Sequence, residues 1–190
     1  MKIVLASSSP RRFELLSAAG FAPEVVRPEC EEVVQEGLSP SETVESLAEQ
    51  KCKAVINSIG CTDTPVIAAD TVVALGSKVI GKPKDRNDAE KILSGLSGRI
   101  HQVYTGVALF YKGKTSVFSV KTDVEFKTLS KREIDSYCDT DEPYDKAGAY
   151  AIQGKASFMV KRINGSYSNV VGLPVCEVVE KLQELGFLEK

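Results

Sequence analysis

One histidine, His101, occurs in 190 residues, and that scarcity excludes several chemistries. A zinc site built from several imidazoles has no ligands to draw on. A Ser/His/Asp triad would rest on His101 alone, inside a strand-like run from Ile100 to Tyr111. Cysteine is sparse too: Cys30, Cys52, Cys61, Cys138 and Cys176 are odd in number and form no C-x-x-C pair. That pattern suits reduced thiols in a cytosol rather than a disulfide frame or a zinc site. No apolar run approaches the ~20 residues of a membrane span. The N-terminal run Ile3–Ala6 is too short for a signal peptide. Positive charge is not in excess either, and a net charge of −2 favours neither nucleic acid nor an anionic membrane as a partner. The expectation is a cytoplasmic protein whose chemistry runs on carboxylates, lysines, arginines and a hard metal.

What is present starts at residues 3–12. Ile3-Val4-Leu5-Ala6 reads as a short buried strand. Ser7-Ser8-Ser9 follows, then Pro10 and the pair Arg11-Arg12. Serine before proline is a helix-start signal, because a hydroxyl can cap free backbone N–H groups and proline suits the first helical position. Leu15, Leu16, Ala18 and Ala19 supply an apolar face, and Gly20 ends the helix. Free N–H groups, hydroxyls and two guanidiniums thus meet at one point, which is an anion site suited to phosphate. A capped surface helix with merely solvated arginines is the plainer alternative.

Further along, Glu24–Arg27 reads as a second strand and Glu29–Glu32 as an acidic loop. Ser39-Pro40-Ser41-Glu42 is a capping box opening a long helix to about Asn57, which carries Lys51. Pro65–Leu75 is nearly continuous apolar strand, interrupted only by Asp70-Thr71. Lys78–Ile80 returns as a hairpin, and Asp85 or Asn87 starts a helix to Leu96. Two strands, Ile100–Tyr111 and Thr115–Phe126, flank a Lys112-Gly113-Lys114 turn. Ser130–Glu133 is a second capping box, Phe158–Ile163 is strand-like, Asn164-Gly165 reads as a hairpin turn, and Pro174–Leu185 is a last helix. Composition is ordinary globular, with enough apolar residues for one domain over 1–190. Helices alternating with strands and hairpins predict an α/β fold with a mixed sheet.

Asp70 is the sharpest chemical signal. A carboxylate in an oily strand costs several kcal/mol if buried unpaired, so a metal, a lysine or a hydrogen-bond network must offset it, unless it caps an exposed strand end. Glu31 or Glu32 could join Asp70 in a hard-metal site of carboxylates and water, the kind Mg²⁺ prefers. Gly76-x4-Gly81-Lys82-Pro83 nearly spells a Walker A loop, but Pro83 replaces the magnesium-binding hydroxyl and the run between looks like strand. Lys82 remains a phosphate contact or a solvated turn lysine. Asp139-x-Asp141-x-Pro143-x-Asp145 lacks the glycine and glutamate of a calcium loop, with Tyr144 and Tyr150 in their places.

Taken in order, several motifs resemble the Maf family of nucleoside triphosphate pyrophosphatases. They are Leu5-Ala6-Ser7-x-Ser9-Pro10-Arg11-Arg12, Ala69-Asp70-Thr71, Gly81-Lys82-Pro83 and Leu96-Ser97-Gly98. Glu142-Pro143-x-Asp145-Lys146-Ala147-Gly148-Ala149-Tyr150-x-Ile152-Gln153-Gly154, Ile163-x-Gly165-x-Tyr167 and Gly172-Leu173-Pro174 complete the set. The likeness implies an elongated mixed sheet with flanking helices and a cleft between two lobes, similar to inosine triphosphate pyrophosphatases. It implies cleavage between the α- and β-phosphates with a divalent cation, Mg²⁺ or Mn²⁺, and it admits a homodimer. Asp70 would be the catalytic base, holding the metal with Glu32. Ser7, Arg12, Lys51 and Lys82 would bind phosphate. Arg11, Thr71 and Gln153 match the branch acting on dTTP and UTP, where the branch acting on methylated GTP has Trp, Gln and Glu. A glutamine amide offers one donor and one acceptor, matching the O4 and N3–H edge of uracil or thymine. Ala69 departs from the glycine of many relatives. A nucleotide-binding regulator of cell division with little catalysis is the alternative.

Overall fold

The computed structural model describes residues 1–60 and 63–189, so Cys61 lies outside the described residues. Seven strands form one sheet: β1 (Lys2–Ala6), β2 (Ala22–Val25), β3 (Val66–Leu75), β4 (Lys78–Ile80), β5 (Ile100–Tyr111), β6 (Lys114–Phe126) and β7 (Val160–Asn164). Its order is β2-β1-β3-β5-β6-β7, with β4 paired to β3. β1 runs parallel to β2 and β3, whereas β3–β4 and β6–β7 are antiparallel, so the sheet is mixed as expected. The helices are α1 (Pro10–Ala18), α2 (Pro40–Ile59), α3 (Arg86–Leu96), α4 (Lys131–Cys138), α5 (Tyr167–Val171) and α6 (Val175–Glu184). None of the described helices is long and apolar enough to cross a membrane.

The chain forms two compact units. The first holds residues 1–70, 105–120 and 172–190; the second holds 71–104 and 121–171. In the first, successive β1 residues point to opposite faces, and both faces are covered. Ile3 and Leu5 pack with Leu16 of α1 and with Val178 and Leu182 of α6. Val4 and Ala6 pack with Ala48, Cys52 and Val55 of α2. α2 lies very close to β5, because a Cβ on Gly106 would fall 2.3 Å from the Val44 carbonyl group and 2.6 Å from the Glu45 nitrogen. Only glycine admits that approach.

The second unit has its own core, with Leu93 and Leu96 of α3, Val124 and Phe126 of β6 and Ile134 of α4. His101 lies inside it with no exposed surface, its Nε2 2.8 Å from the Tyr150 hydroxyl. Burial lowers its pKa to about 4, so it is neutral near pH 7.

Several local expectations need correction. Ser9 is the α1 N-cap residue but makes no side-chain capping bond; the Ser7 hydroxyl accepts the Ser9 N–H instead, at 3.2 Å. Ala18 and Ala19 are exposed, because this short helix packs on the core through Leu16 and the partly buried Leu15, and Phe21 completes it after the turn. Asn164-Gly165 is not a hairpin turn: among the described residues no strand follows it, and the chain enters α5 instead. Phe158 and Met159 belong to a 3-10 turn, Lys155–Met159, and β7 begins only at Val160.

Candidate active site

β1 and β3 are adjacent and parallel, with Ala6 opposite Ala68. In open α/β sheets, ligands bind in the crevice outside the carboxyl ends of the strands. Ser7 follows Ala6 at that end of β1, and Asp70 stands two residues past Ala68 in β3. Period-two alternation puts Asp70 on the face of Val66 and Ala68, which is the face that α2 covers.

α2 meets it there with Lys51. The helix is started by a complete capping box, in which the Ser39 hydroxyl accepts the Glu42 N–H and the Glu42 carboxylate accepts the Ser39 N–H. Its buried stripe is Val44, Leu47, Ala48, Cys52 and Val55. Lys51 is three or four residues from Leu47, Ala48 and Val55, so it shares that stripe. Its side chain is only 12% exposed, and Nζ lies 2.5 Å from Asp70 Oδ1 and 3.2 Å from Glu32 Oε1. The Asp70 side chain is 14% exposed, at the point where the burial of β3 eases. Glu32 is brought in by Gln50, whose amide donates to the Val33 carbonyl at 3.0 Å and accepts the Val33 N–H at 2.9 Å.

Arg12 closes the group. Nε donates to the Gly172 carbonyl at 2.8 Å and Nη1 to the Ser7 hydroxyl at 3.1 Å. Burial pushes its pKa down from the ordinary guanidinium value, opposed by the negative charge of Asp70 and, less strongly, of Glu32, while Arg11 adds to the lowering. Two cations and two carboxylates are thus gathered beside the carboxyl end of β1, against the middle of β3. Among the described residues no three His, Cys, Asp or Glu side chains converge in a metal-binding group. A hard cation would find two carboxylates here, which fits Mg²⁺, since that ion commonly takes one or two carboxylates and completes its shell with water and substrate phosphate.

Thr71, Lys82 and Gln153 belong to the second unit. Lys82 is exposed between Gly81 and the buried Pro83. The Gly81 carbonyl accepts the Gly148 N–H at 3.0 Å, which ties the Lys82 segment to the stretch leading to Gln153. Gln153 itself is exposed. Of the predicted residues, then, the structure gathers Ser7, Arg12, Glu32, Lys51 and Asp70, with Arg11 acting on Arg12 through its charge. Sequence reasoning missed Gln50 and the Gly172 carbonyl. The four described cysteines are free, and burial raises the Cys52 thiol to about 12 and the Cys138 thiol above its usual value.

The fold is α/β with a mixed sheet, and this cluster gathers charges of both signs beside the carboxyl end of β1. The chain belongs to the Maf family: the family model for Maf-like protein matches residues 2–185. It is 49% identical over 189 residues to a dTTP/UTP pyrophosphatase of Geotalea uraniireducens, covering 98% of this chain and 96% of the relative. It is 47% identical over 185 residues to a dTTP/UTP pyrophosphatase of Bacillus anthracis, covering 97% and 96%. In fold it is similar to the solved Staphylococcus aureus Ham1 protein, with a TM-score of 0.51 at 16% identity over 97% of this chain and 98% of that one.

Proposed function

We propose that the protein is a nucleoside triphosphate pyrophosphatase that hydrolyses dTTP and UTP to the monophosphate and pyrophosphate, removing unwanted pyrimidine nucleotides. The observation carrying this reading is the Asp70 carboxylate held against Lys51 beside the anchored Arg12. The names of relatives at 47–49% identity support the substrate.

Asp70 orients a water and takes its proton as the water oxygen attacks the α-phosphorus. The new P–O bond forms opposite the bridging oxygen, the bond from the α-phosphorus to that oxygen breaks, and pyrophosphate leaves. Arg12 and Lys51 neutralise the charge that collects on the phosphates. Ser7 and the N-terminal turn of α1 receive phosphate oxygens. Lys82 contacts phosphate, while Gln153 and Thr71 read the base and Arg11 lines that side. Glu32 and Asp70 would hold Mg²⁺ or Mn²⁺, which supplies charge neutralisation and polarises the phosphoryl group when bound. A cytoplasmic location and a homodimer belong to the same reading.

Product analysis tests it. Purified protein given dTTP or UTP with Mg²⁺ is expected to release monophosphate and pyrophosphate in equal amounts, and far less when the metal is chelated. Orthophosphate as the product would make it a plain phosphatase. Tight nucleotide binding with no metal-dependent product would make it a regulator.

A further inference from the structure

Glu142 lies in a 3-10 turn, Glu142–Asp145, and takes no part in the chemistry above. Its carboxylate nonetheless collects three donors. Oε1 accepts from the Tyr137 hydroxyl at 2.9 Å and the Ala156 N–H at 3.2 Å, and Oε2 accepts from the Lys155 N–H at 2.9 Å. Gly154 stands so close that a Cβ there would lie 2.3–2.4 Å from the carboxylate atoms. One side chain therefore bonds the backbone N–H groups of residues 155 and 156 and lies against Gly154, the residue after Gln153. The Gly154 N–H bonds to the Ala151 carbonyl at 3.0 Å, so Gln153 sits in a turn closed on itself and fastened at its far end by Glu142.

The chemistry explains why that fastening calls for a carboxylate. All three partners are donors, and only an ionised carboxylate is acceptor at both oxygens; an amide would turn an NH₂ group against at least one of them. Burial and the bond to Glu142 push the Tyr137 hydroxyl well above its usual pKa, so it stays a donor. A glutamine amide, for its part, matches uracil in one orientation and cytosine in the flipped one. Selectivity between them needs the backbone that carries the amide to be fixed.

We propose that Glu142 is a positioning residue for base recognition: by clamping residues 154–156 it presents Gln153 to a uracil or thymine edge and sets the preference over cytosine. This rests on the assignment of Gln153 to the base given under the proposed function. The test measures kcat and KM for UTP and CTP in the parent, Glu142→Gln, Gly154→Ala and Gln153→Ala proteins, with folding checked by circular dichroism. In Glu142→Gln, KM for UTP is expected to rise and the UTP-over-CTP preference to fall, each about tenfold, while kcat for UTP stays within about twofold. Gly154→Ala, which forces the same contact apart, is expected to give the same signature and serves if Glu142→Gln does not fold. A folded Glu142→Gln protein with lowered melting temperature but parental KM and preference overturns the inference, provided Gln153→Ala loses the preference. If Gln153→Ala keeps the preference, the base-reading assignment itself falls and the inference with it.

Discussion

Replacing Lys51 by methionine removes the cation that lies between Asp70 and Glu32. The Lys51 ammonium pairs with the same two carboxylates that are proposed to hold the divalent ion. Breaking a buried pair leaves the surviving charge uncompensated, and two facing carboxylates without a lysine attract a divalent ion. Lys51→Met is therefore expected to bind Mn²⁺ in the absence of nucleotide about tenfold or more tightly than the parent, read by electron paramagnetic resonance. Unchanged Mn²⁺ affinity would mean that the lysine and the metal do not compete. His101 gives a separate test at this scale. Burial lowers its pKa from 6.5 to about 4. Between those values the unfolded chain binds a proton that the folded protein does not, so stability rises with pH across that window. The group costs nothing above its unfolded value, and as pH falls to about 4 its cost reaches on the order of 3 kcal/mol. Urea melts at pH 7 and pH 4.5 should show a smaller difference for His101→Gln than for the parent; equal differences would contradict a buried neutral histidine. Asp70 was legible in the sequence because a charge among aliphatic residues demands a partner. The partner could have been found from the spacing of Lys51 within the apolar stripe of its helix. Gln50 looks like any helical glutamine, and the motif containing Gly172 gives no sign that its carbonyl receives Arg12.

At the scale of elements, α2 matters most, because it carries both Lys51 and Gln50. Its start was readable from Ser39 to Glu42, since a capping box satisfies the helix's own first N–H groups and needs no distant partner. Its depth against β5 was not, since Gly106 is an unremarkable strand glycine until its neighbour is known. Gly106→Ala forces a methyl group into the α2 backbone beside Val44. The expected cost is about 1–3 kcal/mol or more in a denaturant melt. Activity should fall on the order of a hundredfold even where the variant still folds, because Lys51 lies two turns further along the displaced helix. Parental stability and turnover would show that the helix does not set the site. The Asn164-Gly165 turn was misread for a tertiary reason. α5 follows it because Asn169 is buried and donates to the Val103 carbonyl at 3.1 Å and to Thr122 Oγ1 at 3.0 Å. Nothing local in the sequence announces those bonds.

For the whole molecule, local pattern supplied the elements and non-local pairing supplied the site. The turn at Lys112-Gly113 was readable because both residues adopt positive φ, as a two-residue hairpin requires. The insertion of β3 beside β1, sixty residues away in the chain, was not; yet that pairing brings Asp70 to the end of β1. The ordered family motifs bridged the gap, because they named residues that belong together without saying how the sheet joins them. Two of those motif residues meet each other: the Glu142 carboxylate lies against Gly154 and accepts the Lys155 N–H.

The most direct measurement is release of pyrophosphate from dTTP by Asp70→Asn at saturating Mg²⁺, with folding checked in parallel. Asparagine keeps the shape but cannot take the water's proton, so kcat is expected to fall by about 10²–10⁴. A folded Asp70→Asn protein that turns over dTTP at the parental rate would contradict the account.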